Sequence, residues 1–259
     1  MKFPYRLQNA LIGATAALAL GSPMLLASSP ATTATTADVR TATADPNPTA
    51  VAKLTKSALA AFDGLVRPLS HPSALEDAFS SYFAYKAAHP NEVKKPLLYF
   101  VDYGLPSTQA RGYVFDMNSL KIVDGPFTVA HGKGSSSGNS TVPTRFSNTS
   151  SSNMTSLGLY VTKGTYAFSG HSAGKLYRSI GLRLDGVSNG FNDNALRRGV
   201  VAHGAPYVTP TKAGRSQGCP AMEPARAEKL LPQLANGAMV FLFAPDANWM
   251  KNDPWVNAA

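Results

Sequence analysis

Val200-Val201-Ala202-His203-Gly204, an apolar run ending in a His-Gly pair, is followed by Arg215-Ser216-Gln217-Gly218-Cys219-Pro220, whose cysteine lies sixteen positions after the histidine. Cys219 is the sole cysteine of the chain. A thiol set behind a Ser-x-Gly bend, with an imidazole and glycine amides nearby, supplies a nucleophile, a base and backbone donors. The combination points to cysteine acyl transfer.

Outward from this stretch the chain reads mainly as strands. Residues 199–202 are a strand candidate, and similar β-rich runs occur at 97–103, 111–117, 127–130, 159–168, 180–184 and 239–243. Turns are expected at Asn118-Ser119 and Asp124-Gly125. Before the strands, 54–65 has helical composition, and Ser73-Ala74-Leu75-Glu76 has the form of a capping box. Leu75, Phe79, Tyr82, Phe83 and Lys86 then form a stripe that Pro90 stops. One late helix is expected at 223–234, with Pro224 in its first turn and Gly237 beyond its end. The fold class is therefore mainly β with flanking helices, an α+β chain with a sandwiched or barrel-like sheet.

At 259 residues, 44% hydrophobic and 15% charged, the chain can bury one substantial core. Lys2 and Arg6 precede an apolar segment at 11–26, broken by Gly21, Ser22 and Pro23 and followed by Ala27-Ser28-Ser29. Residues 1–29 thus read as a cleavable export signal, and the mature protein is expected to have no transmembrane span. Losing Lys2 and Arg6 lowers the formal charge of +9 by two, and the basic remainder suits an anionic polymer or simply a soluble surface. Residues 30–50, rich in Ala, Thr and Pro, read as a disordered tether to a domain at 51–259. Export places the chain in the periplasm or at the cell wall, where a lone thiol cannot form an internal disulfide.

Other chemistries lack their residues. His71, His89, His131, His171 and His203 fall in no HExxH pattern, no C-x-x-C exists, and neither a P-loop nor a dinucleotide fingerprint occurs, so no metal, cofactor or nucleic-acid partner is called for. The Gly/Ser/Thr/Asn-rich insertion at 133–156 is long enough for a lid over a cleft and equally suits a mobile surface loop. Its sequons at Asn139, Asn148 and Asn153 are no more than such a composition provides. Papain-like enzymes place cysteine before histidine, the reverse of the order here. Sortases have Thr directly before the cysteine, where this chain has Gly218.

At these residues the chain resembles the YkuD-type murein L,D-transpeptidases. The resemblance rests on Asp102-Tyr103 through Ser107, Ala130-His131-Gly132, Phe146-Ser147-Asn148, Ser156-Leu157-Gly158, Leu182-Arg183-Leu184-Asp185-Gly186 and, most specifically, Gly-Arg-Ser-x-Gly-Cys-Pro ending at Pro220. It departs from the broad family at Gln217, where many members have a second His, and at Pro220-Ala221. The resemblance implies a largely β catalytic domain acting on peptidoglycan stem peptides, with Cys219 as nucleophile, His203 as base and the Gly204 carbonyl orienting the imidazole.

Each role has a physical reason. A free thiol titrates near pKa ~8.5 and needs an imidazole to react at neutrality. Gly218 permits a tight backbone that would aim its own amide and that of Cys219 at an oxyanion, and Ser216 is an orienting hydroxyl. His131 repeats the setting of His203, since Val129-Ala130-His131-Gly132 matches Val201-Ala202-His203-Gly204. His203 is preferred as base because it lies closer to the cysteine. His131 and His171 are then expected to line the cleft or to be structural. Arg183 and Arg215 are forks for a stem-peptide carboxylate or ordinary surface ion-pairing groups, and Gln217 occupies a substrate-facing position. The reading is an exported cysteine L,D-transpeptidase, the alternatives being an L,D-carboxypeptidase with water as acceptor and an inactive peptidoglycan-binding protein.

Overall fold

The structure, a computed structural model, describes residues 47–258. The expected signal segment and residues 30–46 of the tether lie outside the described residues. Helix α1, Pro48–Phe62, starts inside the stretch expected as tether. The Asn47 side chain accepts from the Thr49 and Ala50 amides at 3.1 and 3.4 Å, and Pro48 occupies the first turn, a start signal that composition obscured. Helix α2 is Ala74–Ala88, ending before Pro90. The expected capping box does not form, because Ser73 Oγ donates to the Asp77 carboxylate at 2.8 Å instead of capping an amide. Nor is one stripe buried: Ala78 through Tyr85 are all covered, since α2 packs against α1 and the sheet.

Strands β1 (Leu97–Asp102), β2 (Gly112–Asp116) and β3 (Lys121–Phe127) form an antiparallel meander. The turn at Asn118-Ser119 forms as expected, with Asp116 Oδ1 accepting both amides at 2.9 and 3.0 Å. The expected turn at Asp124-Gly125 does not: these residues lie inside β3, where Gly125 at φ +133° serves an irregularity in the β2–β3 register. Next come β4 (His131–Gly132), a 3₁₀ turn at Lys133–Ser135, and the hairpin β5 (Gly158–Ser172) and β6 (Lys175–Gly186). The hairpin outruns the expected strands because Ala173 and Gly174, at φ +50° and +76°, make a tight turn that keeps the polar outer halves paired.

A short helix, α3 (Ala195–Arg198), precedes β7 (Val201–Gly204), β8 (Val208–Thr209), β9 (Lys212–Ala213), β10 (Arg215–Ser216) and β11 (Ala221–Met222). Helix α4 (Pro224–Leu234) follows, then β12 (Met239–Phe243) and α5 (Ala247–Asn252). The main sheet runs β11-β7-β6-β5-β12-β1-β2-β3, with β10–β4 and β8–β9 as separate ribbons. Just past edge strand β3, Ala130 bridges Ala221 of β11, its amide donating at 2.8 Å, and so brings the two edges of the sheet together. Helix α2 packs on β1, β5 and β12, and α4 on β6 and β7. Leu98, Phe100, Phe115, Leu159 and Phe241 are fully buried, and each such side chain contributes about 1.5–3 kcal/mol. This rigid sheet fixes the ends of the short strands near Cys219. Among the described residues, no helix is long and apolar enough to cross a membrane.

Candidate active site

Cys219 lies in the turn between β10 and β11 and is half-buried. Both flanking strands are held by parallel partners: Arg215 and Ser216 pair with His131 and Gly132 of β4, and Ala221 and Met222 pair with His203 and Gly204 of β7. Ser216 closes the turn from inside, its Oγ donating to the Cys219 carbonyl at 2.7 Å and accepting from the Gly218 amide at 3.1 Å. That second bond corrects the expectation that the Gly218 amide points at an oxyanion, because it is already engaged. Glycine is still required there, since φ is +122° and a Cβ would lie 2.7 Å from the Met154 carbonyl oxygen.

His203 sits on β7 between β6 and β11 and is 3% exposed. Its Nδ1 lies 3.0 Å from the Gly204 carbonyl oxygen. A carbonyl only accepts, so Nδ1 carries the proton and Nε2 the lone pair. The Phe168 ring stacks on the imidazole with centroids 4.3 Å apart, and Tyr177 stacks at 6.4 Å. Burial lowers the His203 pKa, partly opposed by the Gly204 carbonyl. Burial likewise pushes the Cys219 thiol up, against the Val201 backbone hydrogen bond and the Arg198 charge. Both shifts favour the uncharged thiol and imidazole over a thiolate–imidazolium ion pair, and the thiol itself lies 4.0 Å from the Gly199 carbonyl oxygen.

Both groups line one cleft of about 740 Å³, together with His171, Arg215 and Gln217. The Arg215 guanidinium donates to the Gly138 and Ser140 carbonyls, each at 2.8 Å, and so ties down a loop at the rim. Arg183 and His131, expected at the cleft, are not among its lining. Arg183 is exposed, its guanidinium 4.2 Å from the Tyr166 ring centre, because its strand position points it along the hairpin. His131 is completely buried beside Arg111. The 133–156 insertion contributes Lys133, Ser150, Ser151 and Asn153 to the cleft, and it is anchored. Gly134 N donates to Asn153 O, Thr144 N to Ser135 O and Ser147 N to Thr155 O, at 2.9, 2.8 and 3.0 Å.

Sequence reasoning missed Arg198. It lines the cleft at the end of α3 and donates to the Ser147 and Met154 carbonyls, each at 2.8 Å, drawing the insertion toward Cys219. The adjacent Arg197-Arg198 pair just before Gly199 was its only signal in the chain. The lining also holds Lys133, Arg197 and Arg215 and, among the described residues, no carboxylate.

The fold is a largely β domain in which the turn that carries Cys219 is clamped against the His-Gly strand β7, and comparison with known proteins gives the family. The family model of the L,D-transpeptidase catalytic domain matches residues 68–243, and the chain belongs to that family. Solved structures similar to it include an L,D-transpeptidase from Mycobacterium smegmatis, at 15% identity over 57% of this chain and 59% of that one, with a TM-score of 0.34. Another, from Stackebrandtia nassauensis, shares 17% identity over 66% of each chain with a TM-score of 0.36. A third, from Mycobacterium tuberculosis H37Rv, shares 16% over 57% of each with a TM-score of 0.32. The chain thus spans less than two thirds of the length of these structures. No curated protein matches it.

Proposed function

We propose that the chain is an exported cysteine L,D-transpeptidase acting on peptidoglycan tetrapeptide stems. The observation that carries this reading is the placement of Cys219 and His203 on one cleft, with the Gly204 carbonyl holding the imidazole in the tautomer whose Nε2 is basic. In this mechanism His203 Nε2 takes the Cys219 proton as the sulfur attacks the carbonyl at the L-centre of the diamino-acid residue. The C–N bond to the terminal D-alanine breaks, His203 returns the proton to the departing amine, and the acyl group stays on sulfur as a thioester. An acceptor amine then attacks the thioester carbonyl, loses a proton to His203, and frees the thiol.

Gly218 is committed to Ser216, so the Cys219 amide is the oxyanion donor in this scheme. Gln217 and His171 face the bound stem from the cleft wall, and Lys133 and Arg197 provide its positive field toward carboxylates of the stem. The basic run at Lys2 and Arg6 and the apolar segment behind it support export to the compartment that holds this polymer. Incubation with disaccharide-tetrapeptide, with products separated by chromatography and weighed, tests the reading. Cross-linked dimers with released D-alanine are expected. Tripeptide alone at every acceptor concentration would make the protein an L,D-carboxypeptidase, and binding without turnover would leave a peptidoglycan-binding protein.

A further inference from the structure

The two Val-Ala-His-Gly strings are used as a pair. The second forms β7 and pairs with β11, downstream of Cys219; the first ends in β4 and pairs with β10, upstream of it. Gly132 is packed so closely on the turn that a Cβ there would lie 2.9 Å from the Gly218 Cα. His203 turns its ring to the cleft, whereas His131 is sealed from solvent.

Around His131 every polar atom is engaged. Arg111, itself fully buried, donates from Nη2 to His131 Nδ1 at 2.9 Å and to the Val129 carbonyl at 2.7 Å, and from Nη1 to the Leu105 carbonyl at 2.6 Å. Guanidinium only donates, so Nδ1 is the acceptor and the ring proton sits on Nε2, which donates to Ser136 Oγ. This tautomer is the opposite of that of His203. Burial and the Arg111 charge lower the His131 pKa to about 3, so the ring stays neutral wherever the protein works.

We propose that His131 is a positioning residue: held between Arg111 and Ser136, it fixes β4 and thereby sets the Ser216–Cys219 turn against His203. It carries no proton in the reaction. The inference rests on the proposed cysteine–histidine chemistry, and it makes Arg111 and Ser136 parts of the same device. Misplacing reacting groups by about 1 Å costs on the order of 10²-fold in rate, and the clamp guards against that loss.

The test is alkylation of Cys219 by iodoacetamide as a function of pH, a single-site readout because the chain has one cysteine. It is run on wild type, His203→Ala, His131→Asn and Ser136→Ala, with Leu231→Ala as a control that loosens the α4 core. His131→Asn keeps an acceptor for Arg111 and loses the donor to Ser136. The expected result is alkylation near pH 7 slowed by roughly ten- to a hundred-fold in His131→Asn and Ser136→Ala, merging with wild type at alkaline pH where the thiol ionises unaided. Turnover should fall in kcat with KM unchanged, and Leu231→Ala should alkylate like wild type despite its lower Tm. If His203→Ala matches wild type, the cysteine–histidine reading fails and the inference with it. If His203→Ala is slow while Ser136→Ala and any folded His131→Asn protein match wild type, the positioning role alone is overturned. A His131→Asn protein that does not fold leaves the decision to Ser136→Ala.

Discussion

His203 Nδ1 and the carbonyl oxygen of its own chain neighbour Gly204 lie 3.0 Å apart, so the orienting group of the site is a backbone atom that no side-chain substitution can remove. It can be displaced. A Cβ on Gly204 would meet Ser179 Oγ at 2.7 Å, the Pro224 Cα at 2.9 Å and the Ala227 Cβ at 3.0 Å. Gly204→Ala is therefore expected to shift β7 against α4, lowering kcat by on the order of 10²-fold and also lowering Tm. Steady-state kinetics and a melting curve check both.

His203→Ala should lower kcat/KM by about 10²–10⁴-fold, the range for loss of a general base. In wild type the acid limb of the kcat/KM profile reports the free imidazole. Burial disfavours its protonated form, so activity should fall away only below the ordinary histidine value of 6.5. A pH–rate profile with its acid midpoint above 6.5 would contradict the preference for an uncharged pair.

The duplicated string separates what the chain made legible from what it hid. That Cys219 and His203 share a cleft, with Gly204 against the imidazole, could be read because the arrangement is local: a thiol behind a bend, and an imidazole whose next residue supplies its partner. His131 has the same neighbours, yet its role depends on Arg111 and Ser136, and it is the register between β4 and β10 that makes it matter. Arg183 looked like a carboxylate fork because sequence says nothing of where a strand directs its side chains along a hairpin. The fold class was legible in the β-rich runs, and the outer halves of β5 and β6 were not, since they are largely polar and their strand partners are each other. Arg198 was hidden because its partners are carbonyls some forty to fifty residues away.

His131 also makes stability depend on pH. Its folded pKa, about 3, lies below the 6.5 of the unfolded chain, so above pH 6.5 neither state binds the proton and stability is at its full value. As pH falls from 6.5 toward 3, the unfolded state takes up a proton that the folded state refuses, and stability is lost at up to about 1.4 kcal/mol per pH unit. Tm measured across this window should drop less steeply in His131→Asn than in wild type. Parallel slopes would mean that His131 protonates in the folded protein.

Arg198→Ala removes donors to the Ser147 and Met154 carbonyls and a positive charge that favours the Cys219 thiolate. Both carbonyls are only half-buried, so water can take over part of the lost hydrogen bonding and the cost stays below that of a fully buried orphan. The variant should melt earlier, show faster proteolysis within 147–156, and give more tripeptide relative to cross-linked dimer as water reaches the thioester. Limited proteolysis and product chromatography measure these effects, and an unchanged product ratio would separate the insertion from acceptor choice.

The central claim is that Cys219 carries the acyl group, and intact-protein mass spectrometry during turnover tests it most directly. With disaccharide-tetrapeptide the wild-type mass should rise by the disaccharide-tripeptide acyl group as D-alanine is released, and the adduct should disappear when acceptor is added. Cys219→Ala should fold, show no adduct and release no D-alanine. Full D-alanine release by Cys219→Ala, or turnover by wild type through an adduct mapped to any other residue, would contradict the account.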